Sequence, residues 1–140
     1  NKFYGRIDAG MLNSDIMRYC AIRCTESFED AEVNLENILG AKKLLYRILN
    51  LSKHILKHYS IQKREMSEDE CLKELVEGMN PSKAVRRFES EIFRISRETH
   101  HKRIVEKKEA ISFLKSINVI SSIFPVTVRR IEEIVYDGKL

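Results

Sequence analysis

A long amphipathic pattern across residues 28–59 constrains the fold of this chain more than any other feature. Apolar side chains recur there at three- and four-residue steps, as they do along one face of an α-helix. They are Phe28, Ala31, Leu35, Ile38, Leu45, Leu49 and Leu56. One continuous helix over this range would be about 48 Å long at 1.5 Å per residue. Its apolar side would need other helices, or a second copy of the chain, to cover it.

Helix-start signals predict further helices before and after this one. Ser14 is suited to cap a first helix, and Ser67 with Glu70 has the spacing of a capping box. Asn80–Pro81 places a capping residue before a proline at the first helical position. The inner face of the first helix is expected to hold Ile16, Met17, Cys20, Ala21 and Cys24.

The last third of the chain follows the same alternation of helices and breaks. The helical phase that starts at Pro81 is lost near residues 100–103, which predicts a break there. Another helix is expected from about Val105 to Ile117, and the β-branched, serine-rich stretch 118–124 predicts a loop or a short strand. Pro125 can then open a last helix that stops near Gly138.

Scarce turn residues support an all-α fold. Only 5 glycines and 2 prolines occur among 140 residues, which is too few for the many turns of a β-sandwich or barrel. The sequence therefore predicts an all-α, single-domain helical bundle of about six helices spanning residues 1–140. No apolar run reaches the length of a membrane span, and residues 1–10 show no signal-peptide core, so the expected location is the cytoplasm or nucleus.

Charge is distributed unevenly, although the formal net charge is only +4. Residues 41–65 hold seven basic and one acidic residue, and residues 81–108 hold nine basic and four acidic ones. Between them, residues 66–80 hold one basic and five acidic residues. The small net charge thus hides two strongly basic helices that flank an acidic one.

The first basic helix carries its polar residues on one face without acidic partners. At about 100° per residue, they fall within roughly 160° of arc. They are Lys42, Lys43, Tyr46, Arg47, Asn50, Lys53, His54, Lys57 and His58. No acidic residue occurs between Glu36 and Glu65, whereas a solvated face usually mixes Glu with Lys four residues apart. An anionic partner is the simplest reason for keeping such a self-repelling face.

The second basic helix repeats this pattern after Pro81. Arginine suits bidentate phosphate contacts and lysine suits point contacts, so two such faces favour binding to a nucleic-acid backbone. Tyr46 could add base stacking. The predicted binding residues are Lys42, Lys43, Tyr46, Arg47, Lys53, Lys57, Lys83, Arg87, Arg94 and Arg97. The sequence predicts non-catalytic binding of RNA or DNA, with no catalytic residue, metal or cofactor.

Two alternatives stay open at this point. In the first, the chain is an interaction module that docks through its long helix, as a homodimer or on an acidic partner protein. In the second, Arg94 followed by His100 resembles the motif of the HEPN ribonucleases, helical domains that cleave RNA without a metal. The resemblance implies that Arg94 binds the scissile phosphate and that His100 assists attack by the 2′-OH. The position after the arginine, often polar in that family, is Ile95 here.

A metal site is the last alternative that the spacing raises. His54 and His58 lie four residues apart, as in many helical zinc sites, and His100 with His101 could join them if the two basic helices pack side by side. The surrounding lysines and arginines would repel a cation, so the sequence favours histidines that belong to the basic faces.

Overall fold

The computed structural model describes residues 8–24 and 35–139. These ranges contain six α-helices, a single 3-10 turn at Lys63–Glu65 and no β-strand. The helices are α1 Asp8–Cys24, α2 Leu35–His58, α3 Glu70–Glu77, α4 Pro81–Lys102, α5 Lys107–Ile120 and α6 Pro125–Val135. The prediction of an all-α bundle of about six helices is confirmed. None of the helices in the described ranges has the length and hydropathy that crossing a membrane would require.

The long central helix is confirmed over the range that the structure describes. It runs without interruption from Leu35 to His58, and Gly40 does not break it. Residues 28–34, where the prediction began the helix, lie outside the described residues. A helix of 24 residues is about 36 Å long and provides the scaffold for one wall of the site described below.

Two of the predicted helix starts are confirmed and two are wrong. The Asn80 side chain accepts a hydrogen bond from the Lys83 backbone N–H at 3.3 Å, and Pro81 opens α4 as predicted. Pro125 opens α6. Ser67 does not cap α3, because the Asp69 carboxylate accepts the Leu72 backbone N–H at 3.1 Å.

Ser14 does not cap the first helix either, since α1 already begins at Asp8 and passes through residue 14. A capping residue inside a continuing helix keeps its side chain at the surface, and Ser14 is exposed.

The ends of the last three helices differ from prediction by a few residues. The break near residues 100–103 is confirmed, because α4 ends at Lys102 and Arg103 adopts a left-handed conformation with φ 60°. Helix α5 continues through Ile120, so the expected loop or strand at 118–120 is wrong. Val119 and Ile120 are buried there, and their burial outweighs their modest helix propensity. Helix α6 ends at Val135, ahead of Gly138.

A single core joins the helices around α2. Helix α2 packs against α1, α4 and α6, while α3 and α5 pack against α4 and against each other. The apolar side of α2 is buried, with each of these side chains at most 3% exposed. They are Leu44, Leu45, Ile48, Leu49, Leu51 and Ile55. Burial of this side leaves the polar side of α2 outside the core, next to α4.

The inner face of α1 is only partly as predicted. Ile16 and Cys20 are buried, but Met17 is 51% exposed and Ala21 is also exposed. Tyr19 takes their place in the core, and its ring lies 6.4 Å from that of Phe124. The buried face of α1 is therefore turned around the helix axis from the predicted one, and it includes Asp15 as well.

Candidate functional site

The polar faces of the two basic helices meet in one groove. Helix α2 packs directly on α4, and between their outer faces lies a groove of about 1320 Å³. The α2 wall is formed by Lys43, Tyr46, Arg47, Asn50 and His54. The α4 wall is formed by Ser96, Arg97, Glu98, Thr99, His100 and His101, and Arg103 continues it past the end of the helix. The two charged faces thus lie on one side of the molecule.

Helix geometry explains why these residues share a wall. The α2 residues lie three or four positions apart, so they form one stripe along the helix. From Lys43 to His54 this stripe spans twelve residues, about 17 Å of helix axis. The opposite side of the same turns holds Leu44, Ile48 and Ile55, which are buried in the core. Burial of the apolar side of α2 in the core therefore makes its polar stripe face outward, into the groove.

The groove is strongly cationic. Its lining contains four permanent cations, Lys43, Arg47, Arg97 and Arg103, and one carboxylate, Glu98. That carboxylate lies 3.5 Å from the ammonium of Lys102, which partly compensates its charge. Within the described ranges, Lys43, Arg97 and Arg103 form no ion pair. A concave surface with uncompensated charge of one sign concentrates ions of the opposite sign.

Arg47 is held in place by an aromatic ring of the opposite helix. Its guanidinium carbon lies 5.0 Å from the centroid of the Phe93 ring on α4. A guanidinium stacked on a ring keeps its in-plane N–H donors available for a second partner. This contact therefore ties α2 to α4 while leaving donors of an exposed arginine available to an anion.

Four of the ten predicted binding residues line this groove: Lys43, Tyr46, Arg47 and Arg97. The structure places the other four lysines of the prediction outside this groove. Lys42, Lys57 and Lys83 are exposed outside the groove, and Lys53 is half-buried. The polar face predicted for α2 was therefore wider than the part of that face that lines the groove beside α4.

Arg87 and Arg94 lie on the other side of α4, in a smaller depression of about 400 Å³ that Arg97 also lines. Asp69 and Glu91 contribute carboxylates to this depression, so its charge is mixed. Arg97 is the one predicted residue that faces both concavities among the described residues.

Arg94 has a structural role. Its guanidinium donates four hydrogen bonds, two to Glu91 and two to Glu109 of α5, at distances of 2.6 to 3.2 Å. These hydrogen bonds raise the pKa of Arg94 further above its ordinary value and lower the pKa of Glu91. Because four of its five N–H groups are already used, Arg94 joins α4 to α5 and has little left for a phosphate.

The two residues that resemble the HEPN motif do not converge within this chain. Arg94 lies in the smaller depression with its carboxylates, whereas His100 lines the cationic groove. Six residues along a helix rotate a side chain by about 120° from the starting direction, which agrees with this separation. The described residues therefore do not place Arg94 next to His100 as the resemblance implies, and the α4-side arginines that share the groove with His100 are Arg97 and Arg103.

Three basic or titratable lining residues at the end of α4 were absent from the predicted binding set. His100, His101 and Arg103 lie at the end of α4, where the sequence predicted a break and where His100 and His101 were weighed for a ribonuclease motif or a metal site but not for phosphate binding. The sequence did contain a signal for these residues, namely the basic run from His100 to Arg103 next to the predicted helix end. Cations are favoured at a helix C-terminus, so such a run is expected there. His54 shares the groove with both histidines, yet no group of three or more metal-ligating side chains in the described residues is placed to hold a metal ion.

No protein-family model, no curated protein and no solved structure matches this chain. A functional conclusion accordingly depends on the chemistry of the groove itself, in which the cations outnumber the carboxylates.

Proposed function

We propose that this chain binds nucleic acid without cleaving it, through backbone phosphates held in the groove between α2 and α4. The supporting observation is the lining of that groove, which has four permanent cations and one carboxylate. Lysine supplies point contacts to phosphate oxygens, and arginine supplies pairs of parallel donors. RNA and DNA present the same phosphate chemistry, so the proposal covers both.

Release of counterions makes such binding depend on salt. With four phosphate contacts, the logarithm of the affinity should fall with the logarithm of salt concentration at a slope of about −3 to −3.5. Raising salt from 50 to 200 mM should then weaken binding roughly 50- to 150-fold. An interaction made mainly of apolar contacts would show little of this dependence.

Charge reversal in the groove tests the proposal directly. We expect Lys43→Glu with Arg97→Glu to weaken binding of a labelled oligonucleotide at least about tenfold, because two phosphate contacts become repulsions. Both side chains are exposed and form no ion pair in the described structure, so the fold should survive. Fluorescence anisotropy at 50 and 150 mM salt measures the affinity, and circular dichroism confirms the fold.

A matched control separates the groove from net charge. Lys42→Glu with Lys83→Glu changes the charge by the same amount at exposed positions outside the groove. We expect this control to weaken binding less than about threefold. Equal losses in both double variants would contradict the assignment of the groove, and absence of binding at 50 mM salt would contradict nucleic-acid binding itself.

Docking through the apolar seam of the long helix receives less support from the structure. That seam is buried in the chain's own core along α2. Large exposed apolar side chains in the described ranges are scattered: Met17 lies on α1, Leu39 and Tyr46 on α2, Met79 after α3 and Ile104 after α4. A homodimer or an acidic protein partner stays a prediction, and it would have to use a surface other than this seam.

A further inference from the structure

We infer that the groove between α2 and α4 binds nucleic acid more tightly as the pH falls, because His54, His100 and His101 take up protons and then pair with its phosphates. This inference rests on the proposed function and adds regulation of the same site by pH. It is carried by the placement of three of the chain's four histidines in the lining of one cationic groove.

The three histidines come from segments that are distant in sequence. His54 lies on α2, while His100 and His101 lie in the last turn of α4. His54 is half-buried and the other two are exposed, so water reaches all three rings. Within the described ranges, none of the three forms a hydrogen bond or an ion pair. Their ring nitrogens can therefore exchange protons and contact a ligand.

Most of the other ionisable groups that face these rings are cations. Among the described residues, the lining comes only from α2, from α4 and from the residue that follows α4. Its other ionisable groups are Lys43, Tyr46, Arg47, Arg97, Glu98 and Arg103. Glu98, the one carboxylate of this lining, forms its ion pair with Lys102 and not with a histidine.

The charges next to the lining do not supply a carboxylate to the rings either. Along α2, Lys53 and Lys57 stand on either side of His54 in sequence. At the end of α4, Lys102 follows His101 and pairs with Glu106. Within the described ranges, an anion that reaches these imidazoles must therefore come from a ligand.

Proton uptake and phosphate binding are coupled in such a groove. An imidazole ordinarily takes up a proton near pH 6.5. Neighbouring cations disfavour its protonated form, and neighbouring anions favour it. A phosphate backbone in the groove places anions beside the three histidines. Because coupling between two ligands is reciprocal, protonation of the histidines must strengthen phosphate binding by the same factor.

Measurement of affinity against pH tests the inference. An exposed ion pair between an imidazolium and a phosphate changes affinity by a factor of about 1.5 to 5. With three such pairs, we expect a labelled ten-nucleotide RNA of mixed sequence to bind about 5- to 50-fold more tightly at pH 6.0 than at pH 8.0. Fluorescence anisotropy at 150 mM salt measures both affinities. The phosphodiester keeps its charge over this range, so the change belongs to the protein.

Removal of the three imidazoles should remove this pH dependence. The variant His54→Gln, His100→Gln, His101→Gln should bind within about twofold of wild type at pH 8.0, where the rings are neutral, and should change less than about twofold between the two pH values. Circular dichroism checks its fold. The variant His100→Gln, His101→Gln alters exposed positions alone and should keep only the factor of about 1.5 to 5 that His54 supplies.

The fourth histidine provides a matched control. His58 lies one turn after His54 but is exposed outside the groove, with its ring 6.5 Å from that of Tyr59. We expect His58→Gln to keep the full pH effect, because it removes the same titrating group from a position that does not line the groove.

Several outcomes would overturn the inference. These are equal affinity of wild type at the two pH values, a pH effect that survives in the triple variant, or a loss of the effect in His58→Gln. In each case, weakened binding by Lys43→Glu with Arg97→Glu would still support the proposed function. Failure of the RNA to bind at 50 mM salt at either pH would instead overturn the proposed function.

Discussion

Asp15 is a fully buried carboxylate that connects the two ends of the described chain. Its Oδ2 accepts hydrogen bonds from the backbone N–H and the hydroxyl of Thr127, both at 2.6 Å. Its Oδ1 accepts a hydrogen bond from Arg18 at 2.8 Å. Helix α6 has no capping side chain of its own, since its N-cap residue is Phe124. Asp15 therefore caps α6 from α1 and places a negative charge where the helix dipole favours it.

Removal of this carboxylate should destabilise the fold strongly. We expect Asp15→Ala to lower the free energy of unfolding by about 2–4 kcal/mol, because it leaves buried donors of Thr127 without a partner. Urea denaturation followed by circular dichroism measures the change. Asp137→Ala at an exposed position is the control and should stay within about 0.5 kcal/mol. A loss below that value for Asp15→Ala would contradict its capping role.

The role of Asp15 could not be found in the sequence. An acidic residue next to apolar positions of a helix is ordinarily expected at the surface. Its partner Thr127 lies 112 residues away, and no local pattern connects the two. By contrast, Asn80 and Asp69 each cap the helix that begins at the next residue. A capping signal at such short range can be read from the sequence, although Ser67 was wrongly preferred to Asp69.

At the scale of elements, helices α4 and α5 are joined by a small ionic network. Arg94 bridges Glu91 of its own helix and Glu109 of α5, and the Ser112 hydroxyl donates to Glu91 at 3.0 Å. Hydrogen bonding from Arg94 is the main cause that lowers the pKa of Glu91 below its ordinary value of 4.5, against the opposing effect of partial burial. The network is half-exposed, so its contribution is modest.

The pH dependence of stability should report this network. A carboxylate whose pKa is lower in the folded state contributes stability above its unfolded pKa, about 4.5, and this contribution is lost as pH falls through the folded pKa. We expect Glu91→Gln to cost about 1 kcal/mol at pH 7 and the difference from wild type to shrink as the pH falls below about 4.5. Urea denaturation at pH 7, 5 and 3 measures it.

Glu77→Gln provides the matched control for this experiment. Glu77 is 66% exposed and lies 4.0 Å from Lys73, at the limit of an ion pair. Its substitution should change stability by less than about 0.5 kcal/mol at each pH. A cost of Glu91→Gln that stays constant from pH 7 to pH 3 would show that the ionised carboxylate is not its source.

For the whole molecule, the proposed binding would depend on the packing of α2 on α4, since the groove lies between these two helices. A ligand that contacts both walls binds the folded chain and not the unfolded one, so it must stabilise the fold. At a concentration of 100 times its dissociation constant, an oligonucleotide should raise stability by about 2.7 kcal/mol and the melting temperature by about 5–10 °C.

Thermal denaturation with and without a labelled ten-nucleotide RNA of mixed sequence measures this shift. The Lys43→Glu, Arg97→Glu variant at the same RNA concentration is the control and should shift by about half as much or less, because tenfold weaker binding leaves the RNA at about 10 times its dissociation constant. An equal shift in wild type and variant would mean that the strand binds outside the groove.

The sequence by itself determined the all-α class, most of α2 and the basic faces of α2 and α4. These features depend on helical periodicity and on local charge, which are complete within a window of a few turns. Only the tertiary structure decided which basic residues lie together in one groove. It placed Arg97 in the groove and paired Arg94 with Glu109, because packing between helices distant in sequence sets which side chains meet.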